Sequence, residues 1–353
     1  MKRNILLIFF AVGAIVLSCT KVDTQSQSQN LKQSIEKNVN DINVAINAIS
    51  ANKGYQILSL NTNLTSKDMS VMGPMFFNDS LTLATVAGIY NYQPDTIHLY
   101  HNFAYPFRLF KKVGISNLLI VNLPQKLIFH PKYLHSFTKS DSILKNDFTI
   151  TATDYHFYHN SWNSIDYKLT ADLALSSVDL GSFDISNASH GFQNSVNSSK
   201  YNFTGGYNIS TTWQTGDTSK FSFSFLKDKN PLLLETSLFT KSGIHKREKQ
   251  YDLTIGNIEI KRGFGIDSIQ VFQNGVLQKK AGAKITDSAD STGTIFMNRD
   301  IMLTFDDGTT TKLSTLLGPP LTQLKTIVGS LQDMYFAKNI VDYIALNIFF
   351  NSR

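Results

Sequence analysis

Phe148-Thr149-Ile150-Thr151-Ala152-Thr153 is the stretch that decides the fold. Every second residue is apolar and every other one is threonine. A period of two puts the apolar set on one face of a strand and the hydroxyls on the other. Such a strand has one face in a core and one in water, which is the habit of antiparallel sheets. Leu169, Ala171, Leu173 and Leu175 repeat the pattern, as do Phe221, Phe223 and Phe225 between Ser222 and Ser224.

Outward from this centre the same period predicts strands at Tyr55–Leu60, Leu81–Tyr92, Asn117–His130, Asp252–Lys261 and Ser268–Gln278. Pro124 marks an edge or a bulge, because proline donates no ladder hydrogen bond. Turn chemistry separates the strands. Asn187–Gly191 and Gly205-Gly206 read as turn clusters, and Asn274-Gly275 and Asp307-Gly308 as hairpin turns between apolar runs.

Helical periods stand at both ends. Leu31, Ile35, Val39, Ile42, Ile46 and Ile49 recur at steps of four and three, with Asn30 as N-cap and Asn52-Lys53-Gly54 as stop. The stripe is too short to prefer a coiled-coil seam over packing on a sheet. After Gly318-Pro319-Pro320, Leu321–Phe350 reads as one helix or two joined near Gly329. The expected fold is therefore α+β and β-rich: a large antiparallel meandering sheet with an N-terminal helix and one or two C-terminal helices packed on it. No fixed-period repeat is present. Residues 31–353 are expected to form a single domain, with a weak seam near 139–146.

The first residues carry a different signal. Lys2 and Arg3 precede an apolar run from Ile5 to Leu17, which ends in Val16-Leu17-Ser18-Cys19. A basic start, a short apolar core and small residues before a cut site make a secretory signal over 1–18. The run is too short for a comfortable membrane-spanning helix. Residues 19–30, polar and rich in Gln and Ser, read as a flexible tether. Cys19 is the only cysteine in 353 residues. If lipid consumes its thiol, the mature chain has no disulfide, no thiolate nucleophile and no cysteine metal ligand.

Charge excludes some partners. The formal charge of +6 falls by two when Lys2 and Arg3 leave, and no basic run accompanies it, so no nucleic-acid partner is expected. His98 and His101 are three apart, as are His156 and His159, but on strands that spacing points to opposite faces. Asp300, Asp306 and Asp307 lack the alternating oxygen pattern of a calcium loop and read as turn residues. No nucleophile elbow, dinucleotide fingerprint or phosphate loop is present. Neither catalytic residues, nor a metal, nor a cofactor is expected. Lys241–Lys249 is a basic patch that reads as a solvated loop or as a contact for anionic headgroups or glycans.

The tail Val16-Leu17-Ser18-Cys19 resembles a bacterial lipobox, in which the cysteine is lipidated and becomes the first residue. Asp79-Ser80-Leu81, Asp95-Thr96-Ile97, Asp141-Ser142-Ile143, Asp267-Ser268-Ile269, Asp287-Ser288-Ala289 and Asp290-Ser291-Thr292 resemble the O-glycosylation acceptor of Bacteroidota. Together these features resemble the uncharacterised outer-membrane lipoproteins of that phylum. The resemblance implies lipidation at Cys19, a membrane partner through the N-terminal lipid and a place in the cell envelope. It implies no catalytic residue. The expected role is binding or structural, and an envelope hydrolase acting on glycans or lipids is the alternative. If the helices leave part of the sheet open, Tyr201, Phe221 and Phe223 are expected to line a groove for a hydrophobic or glycan ligand. If they cover it, the same rings fill a core.

Overall fold

The computed structural model describes residues 30–59, 80–93, 110–124, 145–161, 164–190, 194–242, 245–263, 269–287, 299–330 and 335–351. Cys19, most of the tether and the first histidine pair lie outside these residues.

The expected fold is the observed one. A fifteen-stranded sheet holds most of the described chain. Its centre is a meander of eight strands in sequence order: Phe148–Ser161, Ser164–Leu175, Val178–His190, Asn194–Phe203, Tyr207–Thr215, Thr218–Lys227, Asn230–Ser242 and His245–Ile255. Every neighbouring pair among them is antiparallel. Gly88–Tyr92 pairs parallel with Leu119–Leu123 at one margin, so the sheet is mixed there. A separate three-stranded sheet comprises Gly282–Asp287, Arg299–Thr304 and Thr310–Lys312.

One face of the meander is dry. Ala152, Ala171, Phe183, Tyr201, Ile209, Phe225, Leu233 and Ile255 stand opposite one another from strand to strand, and all are buried. The other face is polar. Asn202 there donates to Ser182 Oγ at 3.0 Å, Asn208 donates to Asn202, and the hydroxyls of Ser210 and Ser224 meet at 2.7 Å.

The Leu31–Ser50 helix lies across the strand ends on the dry side. The Asn30 side chain caps it by accepting from Lys32 N–H at 2.9 Å. Leu31, Ile35, Ile42, Ala45, Ile46 and Ile49 are buried. Its polar residues tie it to the turns beneath. Ser34 Oγ accepts from Gln273 Nε2, Asn38 Nδ2 donates to Ile255 O at 2.7 Å, and Asn52 donates to Thr204. Gly256 sits in that second turn at φ +57°, and a Cβ there would strike Asn38.

Several local readings are corrected. Tyr55–Leu60 is not a strand: Lys53–Ser59 is a helix. Asn52 is the reason, because its Oδ1 accepts from Gly54 N–H at 2.8 Å and so starts a second helix where a stop is expected. Leu81–Tyr92 is split by a helical turn at Leu83–Val86, held by a capping box between Thr82 and Thr85. Asn187–Gly191 is not a turn: Asn187 through His190 continue the Val178–His190 strand. At the C-terminus the helix begins early, at Leu313, and spans Leu313–Ser330 with a break at Gly318 (φ 50°, ψ −137°) before Pro319 and Pro320. A further helix covers Tyr335–Asn351. Asn274 and Gly275 both have positive φ, as a two-residue hairpin turn requires.

Candidate functional site

Cross-strand register orders the helix-covered face into files of side chains, and the files change character along the strands. The file next to the dry one runs Tyr155, Leu169, Ile185, Ser199, Thr211, Phe223, Glu235 and Leu253. It is buried at both sides, but Ser199 and Thr211 in the middle are only half-buried. The next file runs Phe157, Tyr167, Asn187, Asn197, Trp213, Phe221, Ser237 and Tyr251. Here the middle is wet. Asn197 is exposed and Trp213 keeps 41 % of its surface. Tyr167 on one side and Phe221, Ser237 and Tyr251 on the other are buried.

The helices explain the two dry flanks. On one side Asp342 of the Tyr335–Asn351 helix accepts at Oδ1 from the hydroxyls of Tyr155 (3.2 Å) and Tyr167 (3.1 Å). Its Oδ2 accepts from Lys338 at 2.6 Å, and Lys338 Nζ lies 4.4 Å from the centre of the Tyr167 ring. Burial pushes the Asp342 carboxyl up, while Lys338 and the two tyrosines pull it back. Burial and the Asp342 charge together raise the Tyr155 hydroxyl. On the other side Glu235 is fully buried and accepts from Tyr251 OH at 3.0 Å. Lys325 of the Leu313–Ser330 helix is held down by burial and lifted by the charge of Glu235.

Between these flanks lies an uncharged floor. Its centre is Asn187, Asn197 and Trp213 on three adjacent strands. Beside them Ser199 and Thr211 share a hydroxyl hydrogen bond at 2.7 Å, and Ser195 and Thr215 share another at 2.8 Å. Asn187 Oδ1 is shut off from solvent and accepts no hydrogen bond. A buried acceptor left unpaired is costly. Trp213 leans on Phe221 with ring centres 5.7 Å apart. The floor thus offers an aromatic plate, two amides and paired hydroxyls, and no ionisable group.

Of the residues expected to line a groove, Tyr201 and Phe223 are closed off in the core, and the Tyr201 hydroxyl donates to Leu180 O at 3.1 Å. Phe221 is buried at the margin, under Trp213. Sequence reasoning passed over Trp213, Asn187 and Asn197. Their only signal is that Trp213 falls in register with Phe221 across a short turn. His156 and His159 face opposite sides: His156 meets Asp166 at 3.5 Å on the polar face, and His159 is buried. Among the described residues no group of three or more His, Cys, Asp or Glu could hold a metal, and no helix is long and apolar enough to cross a membrane. Asp300 accepts from Ser314 N–H and hydroxyl, and Asp307 accepts from Thr309 N–H, so both serve local structure. Compared with protein-family models, with curated proteins and with solved structures, the chain finds no match.

Proposed function

We propose that this is a lipid-anchored protein of the cell envelope, held to the outer membrane through Cys19, that binds a ligand on the open floor without transforming it. The lipobox at Val16–Cys19 supports the anchor. The observation that carries the binding role is Trp213: a large ring left 41 % exposed in the uncovered middle of this sheet face, opposite Asn197. Exposed aromatic surface beside convergent polar groups is the ordinary make-up of a small-molecule site.

Asp342 favours the alternative, an envelope hydrolase, because its carboxyl is raised and stands beside Tyr167, the neighbour of Asn187. Its oxygens, however, already accept three hydrogen bonds that fasten the last helix to the sheet.

The test has two parts. Membrane fractionation of Cys19→Ala should show release from the membrane or a block in maturation. The full-length protein in lipid nanodiscs should bind at least one member of a panel of glycans and fatty acids, dependent on Trp213, and release no product. Normal retention of Cys19→Ala, with no lipid on the wild type, overturns the anchor. Turnover that survives purification and is lost in Asp342→Asn establishes the hydrolase instead.

A further inference from the structure

We infer that the ligand of the Asn187–Asn197–Trp213 floor is a neutral saccharide. This rests on the binding role proposed above and names its chemistry. Trp213 supplies a flat, half-exposed ring already braced by Phe221 at 5.7 Å, so little side-chain freedom remains to be lost on binding. A pyranose ring presents a face of C–H groups to such a plate and a rim of hydroxyls around it. Each hydroxyl both donates and accepts, and amide side chains do the same. Asn197 stands directly opposite Trp213, and Asn187 directly opposite Asn197. Asn197 is exposed, so its amide is free to meet those hydroxyls beside the Trp213 ring.

Charge and polarity exclude the competitors. The floor carries no ionisable side chain among Asn187, Ser195, Asn197, Ser199, Thr211 and Trp213, so it holds nothing to pair with a phosphate, a carboxylate or an ammonium. An acyl chain gains from an apolar surface, and around Trp213 the floor is amides and paired hydroxyls. From Asn187 to Trp213 the floor spans two strand spacings, about 10 Å, so it extends beyond one sugar ring. The saccharide is therefore bound along the file, across the strands, with one ring on Trp213 and the next over the amides.

Trp213 and Trp162 are the two tryptophans of the chain, so Trp162→Phe leaves Trp213 as the sole reporter. That variant, full length in phosphatidylcholine nanodiscs, is titrated with neutral hexasaccharides of gluco, manno, galacto, xylo and N-acetylglucosamine configuration, and separately with oleate. At least one saccharide is expected to change Trp213 emission saturably. By calorimetry, Trp213→Ala should weaken that saccharide about ten-fold or more, the scale of one lost aromatic contact, and Trp213→Phe should weaken it less. Asn197→Leu should also weaken it, at unchanged melting temperature. Saccharide binding indifferent to Trp213→Ala overturns the site. Oleate binding through Trp213 with no saccharide bound overturns the saccharide and leaves the binding role standing. No binding of either probe through Trp213 overturns both.

Discussion

Trp213 and Phe221 stand opposite each other on adjacent strands with ring centres 5.7 Å apart, yet one is 41 % exposed and the other 7 %. The edge of the core runs between these two residues. On one side a side chain stabilises the fold; on the other it is available to something outside.

Stability should therefore respond unequally along this face. Phe223→Ala empties a fully enclosed position and should cost about 3–5 kcal/mol. Trp213→Ala removes a ring with water on one side and should cost well under half of that. Urea unfolding of both variants checks the difference. Equal losses would place Trp213 inside the core.

Ile42 is 1 % exposed on the N-terminal helix. Ile42→Asp puts an unpaired carboxylate in apolar surroundings and should cost several kcal/mol, whereas Val44→Asp, at a position 57 % exposed, should be nearly neutral. Thermal melts of the two variants give the comparison. If Ile42→Asp melts as the wild type does, the helix is not packed on the sheet.

Lys338 and Asp342 form a largely buried pair one helical turn apart. Removing one partner strands the other. Lys338→Met should thus destabilise more than Lys338→Met combined with Asp342→Asn, in which the amide oxygen still accepts from Tyr155 and Tyr167. A double-mutant cycle by denaturant unfolding measures the coupling. Additive losses would show that the pair contributes nothing.

The raised Asp342 carboxyl also sets a sign for pH dependence. A carboxyl whose folded pKa lies above its unfolded value binds its proton more tightly in the folded state. Its contribution is full below the ordinary carboxylate range and is lost as pH rises through the raised value. The stability of the wild type relative to Asp342→Asn should accordingly fall as pH increases from acid towards neutral. Denaturant midpoints of both proteins across that range test it. A difference that grows with pH would reverse the assignment.

The strands with dry faces were legible from their alternation. Phe148 to Thr153 and Phe221 to Phe225 form strands because every second side chain is buried in the core. Legibility ended where burial ended. At Asn187, Ser189 and His190 the Val178–His190 strand has left its buried residues behind, so this end carries no apolar period and reads as a turn. Pairing with Asn194–Phe203 holds them extended, a tertiary cause that no local pattern records. The floor was hidden for the same reason: with no fully buried side chain in it, it has no apolar alternation to mark it. Tyr201, Phe221 and Phe223 drew notice because they alternate, and alternation marks the side chains that the core takes in.

The hydrogen bond from Gln273 to Ser34 joins residues 239 positions apart. Within the eight-strand meander each strand meets the one made just before it, so that part assembles by short steps as the chain emerges. The N-terminal helix has no such convenience. It is made before the partners it needs: it packs on the Leu313–Ser330 helix and is tied to turns at Ile255 and Gln273. Its apolar stripe must wait, uncovered, until nearly the whole chain has arrived. The Leu31–Ser50 helix thus precedes the strands and helix that hold it and is seated only after they have arrived.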